Sequence, residues 1–448
     1  MTAYLQEFAR RQGLACRTDT TGNVVIVKEA APGKENVPTL VLQAHQDMVC
    51  EKVAGCPHDF RKDPIRYVVR DGWMIAPDTT LGADDGIGIA ACLALLASDL
   101  PAGRLECLFT ISEETGMDGA MALESGFFTG KTLINLDSED EGQLFVGCAG
   151  GVDTLAVFSY SEEAVAPASS GVRIRLFNAQ GGHSGDDINK ERANTVQLLA
   201  RFLDSQRGRF QLVSMSGGGK LNAIAREAEA VLAVPDPAAF AEAFRAFAGE
   251  VRAEFATSDP TLEGDAERVP VPAQAVDAGT ARRLISALVA VHHGVIAMSQ
   301  DIPGLVETSS NLAYVRMDVP GRIRVGTNQR SSVMSARDAA ARKVAACFEL
   351  AGASVEHSSP YPGWKPDMHS RILAQTVASY RRLFGTDPEV KAIHAGLECG
   401  LFLEKFPGLD MISFGPTLRG VHAPGERLEL ASNDKFVRLL ADVVTHFE

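Results

Sequence analysis

Along its first third the chain alternates between two spacings of apolar residues. The runs NVVIVKEA (23–30) and TLVLQAH (39–45) are dense in aliphatic and β-branched residues, and the loop-forming segment APGKENVP separates them. At GADDGIGIAACLALLAS (82–98) the spacing becomes helical, with Asp84 and Asp85 in the first turn, where a helix favours negative charge. RLECLFTIS (104–112) and KTLINLD (131–137) are again strand-like. Strands alternating with helices predict an α/β layer built on a mostly parallel sheet. Sites in such sheets gather at the carboxyl ends of the strands, which is where His45, the pair Glu113 and Glu114, and Asp137 fall.

Beyond about residue 150 the texture changes. The polar stretch SYSEEAVAPASSG precedes the alternating strand GVRIRLFNAQ, and a second alternating strand, GRIRVGTNQRSS, follows much later. Between them DPAAFAEAFRAFAGEVRAEF has helical spacing. This mixture predicts a smaller α+β domain with an antiparallel sheet. After YPGWKPD (361–367) the first texture returns, with a helix predicted around 369–385 and a strand at LDMISFG (409–415). The chain therefore reads as an α/β domain formed by 1–150 and 362–448, interrupted by an inserted α+β domain at 151–361. No internal repeat or low-complexity tract is visible in the sequence.

A length of 448 residues exceeds what one core usually spans, in keeping with this division. The formal net charge of −14 argues against a nucleic-acid partner, whose phosphates require a basic face. No apolar run approaches the roughly 18 residues of a membrane span. The N-terminal MTAYLQEFARRQG reads as an amphipathic helix rather than a signal peptide. The eight cysteines, at 16, 50, 56, 92, 107, 148, 347 and 399, form no CxxC pair and are read as reduced thiols of a cytosolic protein.

Seven polar residues stand at the ends of apolar segments: His45, Asp47, Asp84, Glu113, Glu114, Asp137 and His422. Taken singly, each has an ordinary explanation as a hydrogen-bonded core histidine, a solvated turn or a helix cap. Taken together, five of the seven are carboxylates in apolar surroundings, and a buried carboxylate must be paired or bind a metal. Two histidines with several carboxylates form a nitrogen and oxygen donor set suited to zinc, cobalt or manganese. One metal seldom needs so many ligands. Two metals sharing a bridging carboxylate use them all, and such pairs are a standard hydrolytic device.

The segments HQD (45–47), TTLGADDGIG (79–88), EETGMDGA (113–120), INLDSEDEG (134–142) and GGHSG (181–185) resemble the M20 metallopeptidase family. CAGG (148–151), YPGW (361–364), IHAGLECGLF (393–402) and GPTLRGVHAP (415–424) are similar, more narrowly, to its bacterial aminoacyl-histidine dipeptidase branch. The likeness runs from about residue 20 to the end, with the motifs in family order. It implies a zinc-peptidase-like α/β catalytic domain interrupted by an α+β lid domain. It also implies that His45 and Asp137 bind one zinc, that Glu114 and His422 bind a second, and that Asp84 bridges them. Glu113 would be the general base for a metal-bridged hydroxide. Asp47, two residues from His45 on the same side of a strand, would accept the imidazole N–H and fix its tautomer. From the lid, His183 would stabilise the oxyanion, in a partner subunit's site or after lid closure, and Asn222 and Arg330 would grip the substrate's terminal carboxylate. Relatives normally carry a further helical segment ahead of the position of Met1, and this branch more often has asparagine where Asp85 stands.

The implied activity is that of a cytosolic, homodimeric dizinc dipeptidase cleaving Xaa-His dipeptides such as β-alanyl-histidine, with Co2+ or Mn2+ as substitutes for zinc. The alternatives are another amide hydrolase of the same family (a tripeptidase, a carboxypeptidase or an N-acyl amino acid deacylase) or an inactive homologue that only binds. No ligand of the metal set is missing, which disfavours the last. Elsewhere, MSGGGKLN lacks P-loop spacing. DSEDEG has Cys148 where a calcium loop needs its final glutamate. His292 and His293 read as a helix surface, and His394 and Glu398, one helical turn apart, read as supports of the site rather than ligands.

Overall fold

Val24–Lys28, Leu40–His45, Leu105–Thr110 and Thr132–Asn135 are buried almost throughout, because sheets covered on both faces take continuous apolar runs rather than alternating ones. They form part of an eight-stranded sheet in a computed structural model that describes all residues from Met1 to Glu448. Leu40–His45 runs parallel to both Leu105–Thr110 and Thr132–Asn135, and Asp410–Ser413 extends the parallel set. Antiparallel strands flank this centre: Val24–Lys28 and Ala15–Thr18 on one side, Gln143–Cys148 on the other, with Glu389–Ile393 at the outer edge. Helix Ala83–Ala97 packs on Leu40–His45, burying Ile89, Cys92 and Leu96. A four-stranded ribbon orders Leu418–Arg419, Arg427–Glu429, Trp73–Ile75 and Val68–Arg70. The fold is α/β, with a mixed sheet that is parallel at its centre.

This unit comprises Met1–Cys148, Trp364–Ala392 and Leu397–Glu448; a second comprises Ala149–Gly363 and Ile393–Gly396. The second unit is an antiparallel sheet with helices, and its topology contains a repeat. One half runs strand Ser170–Phe177, helix Thr195–Ser205, strands Gln211–Gly218 and Ala228–Val234, helix Pro237–Glu254, strand Glu263–Val269. The other runs strand Gly150–Ser159, helix Ala278–Ala290, strands Val306–Val319 and Arg322–Ser331, helix Met334–Leu350, strand Ser354–Tyr361. Each is a split βαβ arrangement in which the first strand lies between the third and fourth. The two second strands join the halves edge to edge, through Gly217 with Val315 and Gly218 with Tyr314. The first half is inserted after the opening strand of the second, so the repeat is nested and leaves no period along the chain.

Two helical expectations change. The helix Ala278–Ala290 stops before His292 and His293, which form the turn into Gly294–Met298. There His293 Nδ1 accepts N–H groups from Asn194 and Leu312, each at 3.3 Å, and burial lowers its pKa to about 4. His394 and Glu398 do not share a helix either: the helix begins at Glu398, and His394 follows the end of a strand. Apolar spacing locates a helix but marks its ends poorly. All eight cysteines are free thiols, and no helix is long and apolar enough to cross a membrane.

Helix Pro237–Glu254 starts on Asp236, whose side chain accepts the Ala239 N–H, with proline in the first turn. Its buried face brings Phe240, Phe244 and Phe247 against Phe202 of helix Thr195–Ser205, with ring centroids 5.0–5.5 Å apart. Phe202 is 1% exposed. Phe202→Ala is expected to cost about 3–5 kcal/mol, measured by urea unfolding, and an unchanged midpoint would refute the packing argument.

Candidate active site

The parallel strands of the first unit deliver their polar residues to one edge. His45 is the last residue of its strand and is 1% exposed. Leu105–Thr110 leads through Ser112, at φ 56°, to Glu113 and Glu114, and Thr132–Asn135 leads to Asp137. Asp84 enters at the start of helix Ala83–Ala97, where it and Asp85 leave helical geometry and share a cis peptide bond. His422 itself adopts φ 63°. Left-handed backbone at serine and histidine costs about 1–3 kcal/mol each and persists only where the surroundings hold it.

Asp84 faces two ways. One oxygen lies 3.0 Å from His45 Nε2, and the other lies 3.1 Å from His422 Nε2. His45 Nε2 is also 3.4 Å from Asp137, and His422 Nε2 is 3.0 Å from Glu114 Oε1. That last oxygen is buried and makes no hydrogen bond, so its closeness to the imidazole is not a donor–acceptor pairing. Two donor atoms aimed at a common third point behave in this way. Ligands about 2.0–2.1 Å from a tetrahedral ion stand roughly 3.3 Å from one another, which matches the spacings here. The ligand atoms of His45, Asp84 and Glu114 lie within 4.8 Å of one another. The donor set therefore fits divalent metal, with one carboxylate placed between two histidine–carboxylate pairs.

The charges of the site act on one another. Burial raises Asp137 well above the usual carboxylate range, and Asp84 and Asp85 add to the effect against the opposing charge of His45. Burial also raises Glu113 to about 7, opposed by His45 and reinforced by Glu114, Asp84 and Asp47. Asp84 goes the other way: burial favours its neutral form, but hydrogen bonds from His422 and His45 outweigh that and hold it low. The hydrogen bond that His422 donates to Asp84, with the negative charge of Glu114 3.0 Å away, lifts His422 to about 10. Each carboxylate demands positive charge nearby, which imidazolium or a divalent cation supplies.

Asp47 does more than its expected role. The Nδ1 of His45 faces both the Asp47 main-chain carbonyl, at 3.0 Å, and its carboxylate, at 3.5 Å. The Asp47 carboxylate also accepts the N–H groups of Glu113, at 3.1 Å, and Glu114, at 3.2 Å. It braces the glutamate turn. Asp85 is 1% exposed and braces another: its oxygens accept the N–H groups of His45, at 3.3 Å, and Gly88, at 3.1 Å. A side chain at position 88 would collide with it, since a Cβ there falls 2.3 Å from Asp85 Oδ1. An asparagine offers only one oxygen for these two N–H groups.

Beneath the site runs a buried polar layer. Gln43 donates to Glu398 at 2.7 Å and accepts from Asn135 at 2.6 Å, while Thr110 donates to Glu398 at 2.8 Å. Burial raises Glu398 to about 8, and its second oxygen makes no hydrogen bond. Glu139, raised to about 7 chiefly by burial, and the buried Glu426 were not singled out in the sequence. The signal for both was spacing from a ligand, two residues after Asp137 and four after His422.

The other three candidates lie in the second unit. His183 Nδ1 accepts the N–H groups of Gly185 and Asp186, each at 3.3 Å, which leaves Nε2–H as a donor. Asn222 is exposed beside it, tied by the Ser184 N–H to the Asn222 carbonyl at 2.9 Å. Buried Asn311 holds that loop through the carbonyls of Leu221 and Ala223. Arg330 is 6% exposed and donates only to neutral groups: Ser184, Asn328 and Tyr361. A buried guanidinium with neutral partners favours an anion. Near it, His394 takes a 2.8 Å hydrogen bond with Ser309 through Nε2, its Nδ1 is unpartnered, and burial with the charge of Arg330 lowers it to about 3.

Known proteins resemble this chain along its whole length. The chain is 37% identical to the cytosol non-specific dipeptidase of Escherichia coli over 99% of its own length and 92% of the relative. It is 39% identical to the aminoacylhistidine dipeptidase of Vibrio alginolyticus, whose crystal structure it matches with a TM-score of 0.94 over 100% of this chain and 92% of that one. An aminopeptidase from Bacillus cereus, 15% identical, shares the fold at a TM-score of 0.57 over 99% of this chain and 91% of that one. Residues 41–446 match the model of peptidase family M20/M25/M40, and the chain belongs to that family.

Proposed function

We propose that this protein is a metallo-dipeptidase that hydrolyses Xaa-His dipeptides, using two divalent cations, zinc in the first instance. The observation that carries this reading is the placement of the Asp84 carboxylate between His45 with Asp137 and His422 with Glu114. Divalent metal held by His45, Asp84, Glu114, Asp137 and His422 would supply Lewis acidity and lower the pKa of water enough to make hydroxide available at neutral pH. Glu113 is the proton carrier. No hydrogen bond ties down its carboxyl, and its place next to Glu114 leaves it free to take a proton from water and return it to the leaving amine. His183 Nε2–H is a donor for an oxyanion, and the Arg330 guanidinium matches a peptide's terminal carboxylate.

A broader dipeptide range is the second reading, favoured by the non-specific dipeptidase name of the Escherichia coli relative. A panel of β-alanyl-histidine, other Xaa-His dipeptides, unrelated dipeptides, tripeptides and N-acyl amino acids separates the two. Hydrolysis is expected to stop on chelation and to return with Zn2+, Co2+ or Mn2+. No dipeptide turnover with any of the three metals would defeat both readings.

Glu113→Gln is expected to lower kcat by about 10²–10⁴-fold while metal content stays at the parental level. A fully metallated variant with parental kcat would remove Glu113 from the reaction. For Arg330→Met, kcat/KM on a dipeptide is expected to fall about 10–100-fold, the loss of a charged hydrogen bond of about 1.5–3 kcal/mol. The corresponding dipeptide amide, which lacks the carboxylate, should be far less affected. Equal losses on acid and amide would show that Arg330 does not read the carboxylate.

A further inference from the structure

Glu426 is 2% exposed, and no lysine, arginine or histidine pairs with it. Its two oxygens face four consecutive main-chain N–H groups instead. Oε2 accepts from Leu81 at 2.7 Å and Gly82 at 3.1 Å, and Oε1 from Ala83 at 2.8 Å and, more weakly, Asp84 at 3.4 Å. Successive N–H groups converging on one point form an anion-binding concavity. They also include the groups that open helix Ala83–Ala97, which has Gly82 at its N-cap and no side-chain cap from its own segment. A residue 342 positions away supplies that cap.

The main chain is tied at the same place. The Ala76 N–H donates to the Glu426 carbonyl at 3.1 Å, and the Gly425 N–H donates to the Ala76 carbonyl at 2.9 Å. Gly82 sits at φ 70°, and a Cβ there would lie 2.7 Å from Met48 Sδ, so the turn before Asp84 has little room to take another path. Glu426 follows His422 by four residues. One side chain therefore connects the loop that carries His422 to the turn that carries Asp84.

We propose that Glu426 is a positioning residue for the metal centre, fixing the turn 81–84 so that the two oxygens of Asp84 face His45 and His422 at once. It acts through Asp84 and touches no reacting atom. A carboxylate is required because it offers enough lone pairs for all four N–H groups. An amide of the same shape keeps one oxygen and turns an NH2 group toward two of the N–H groups. The proposal rests on the metal reading above.

The test is a Co2+ titration of the metal-free full-length protein and of Glu426→Gln, following the visible absorption of bound Co2+ against a competing chelator. Circular dichroism and the melting temperature of the metal-free proteins are measured alongside. Glu426→Gln is expected to bind Co2+ about 10–100-fold more weakly, with an altered spectrum, and Glu426→Asp to fall between it and the parent. Parental affinity and spectrum in folded Glu426→Gln overturn the proposal, as does a lowered melting temperature with Co2+ affinity unchanged. If Glu426→Gln does not fold, Glu426→Asp decides. Its shorter arm cannot reach both pairs of N–H groups, so weakened binding supports the proposal and parental binding overturns it. A parent that takes up no Co2+ overturns the metal reading itself, which separates the two failures.

Discussion

Like charges held away from water set the terms for the first unit. The carboxylate oxygens of Asp84 and Glu114 lie within 4.8 Å of each other, with Asp137, Asp47 and Glu113 close by. At about 4 Å and an effective dielectric of about 20, two such charges repel by about 4 kcal/mol, against a total stability of roughly 5–15 kcal/mol for a whole domain. Positive charge among the carboxylates, or protonation of those that burial raises, relieves the repulsion. Two histidines lie among them, and the geometry leaves their Nε2 atoms and three carboxylate groups, those of Asp84, Asp137 and Glu114, turned toward shared points. The buried layer of Gln43, Thr110, Asn135 and Glu398 lets these strands end in charge without leaving polar atoms stranded further down.

The loops that bear the ligands are connected by carboxylates that bind main chain. Glu426 ties the His422 loop to the turn before Asp84, Asp85 ties the helix start to His45, and Asp47 ties the His45 strand to the turn of Glu113 and Glu114. The links run in series through four segments far apart in the chain. Each one also sets carboxylate oxygens against N–H dipoles, which engages those oxygens away from the centre. This division of labour explains how one region holds so many acidic residues: some face the centre, and others face the backbone that positions the first group.

In the second unit the organising feature is the nested pair of split βαβ halves. Their edge-to-edge junction is short, at Gly217 and Gly218, and the glycine at 218 admits the close approach of Ala313 and Tyr314. Arg330 lies on the third strand of one half, and His183 and Asn222 lie in the loops of the other. Ser184 joins them directly by accepting from Arg330 while its own N–H donates to Asn222. The halves thus combine into one polar cluster, although neither contains all its members.

Much of this was legible before any coordinates. The buried strands, the helix at 83–97, the inserted α+β texture and the polar residues that gather around Asp84 were visible, because dense apolar runs ending in polar residues are a local property of the chain. The nested repeat was not, since it is a repeat of connections rather than of residues. The ends of the helix before His292 were missed because periodicity decays gradually. Tertiary structure alone decided that Asp84 spans two histidines, that the Asp47 carboxylate braces the main chain of Glu113 and Glu114, and that Glu426 caps a helix 342 positions away. The physical reason is common to the last two. Their partners are main-chain groups, which nearly every residue carries, so the contact selects no partner side chain and leaves no paired mark in the sequence.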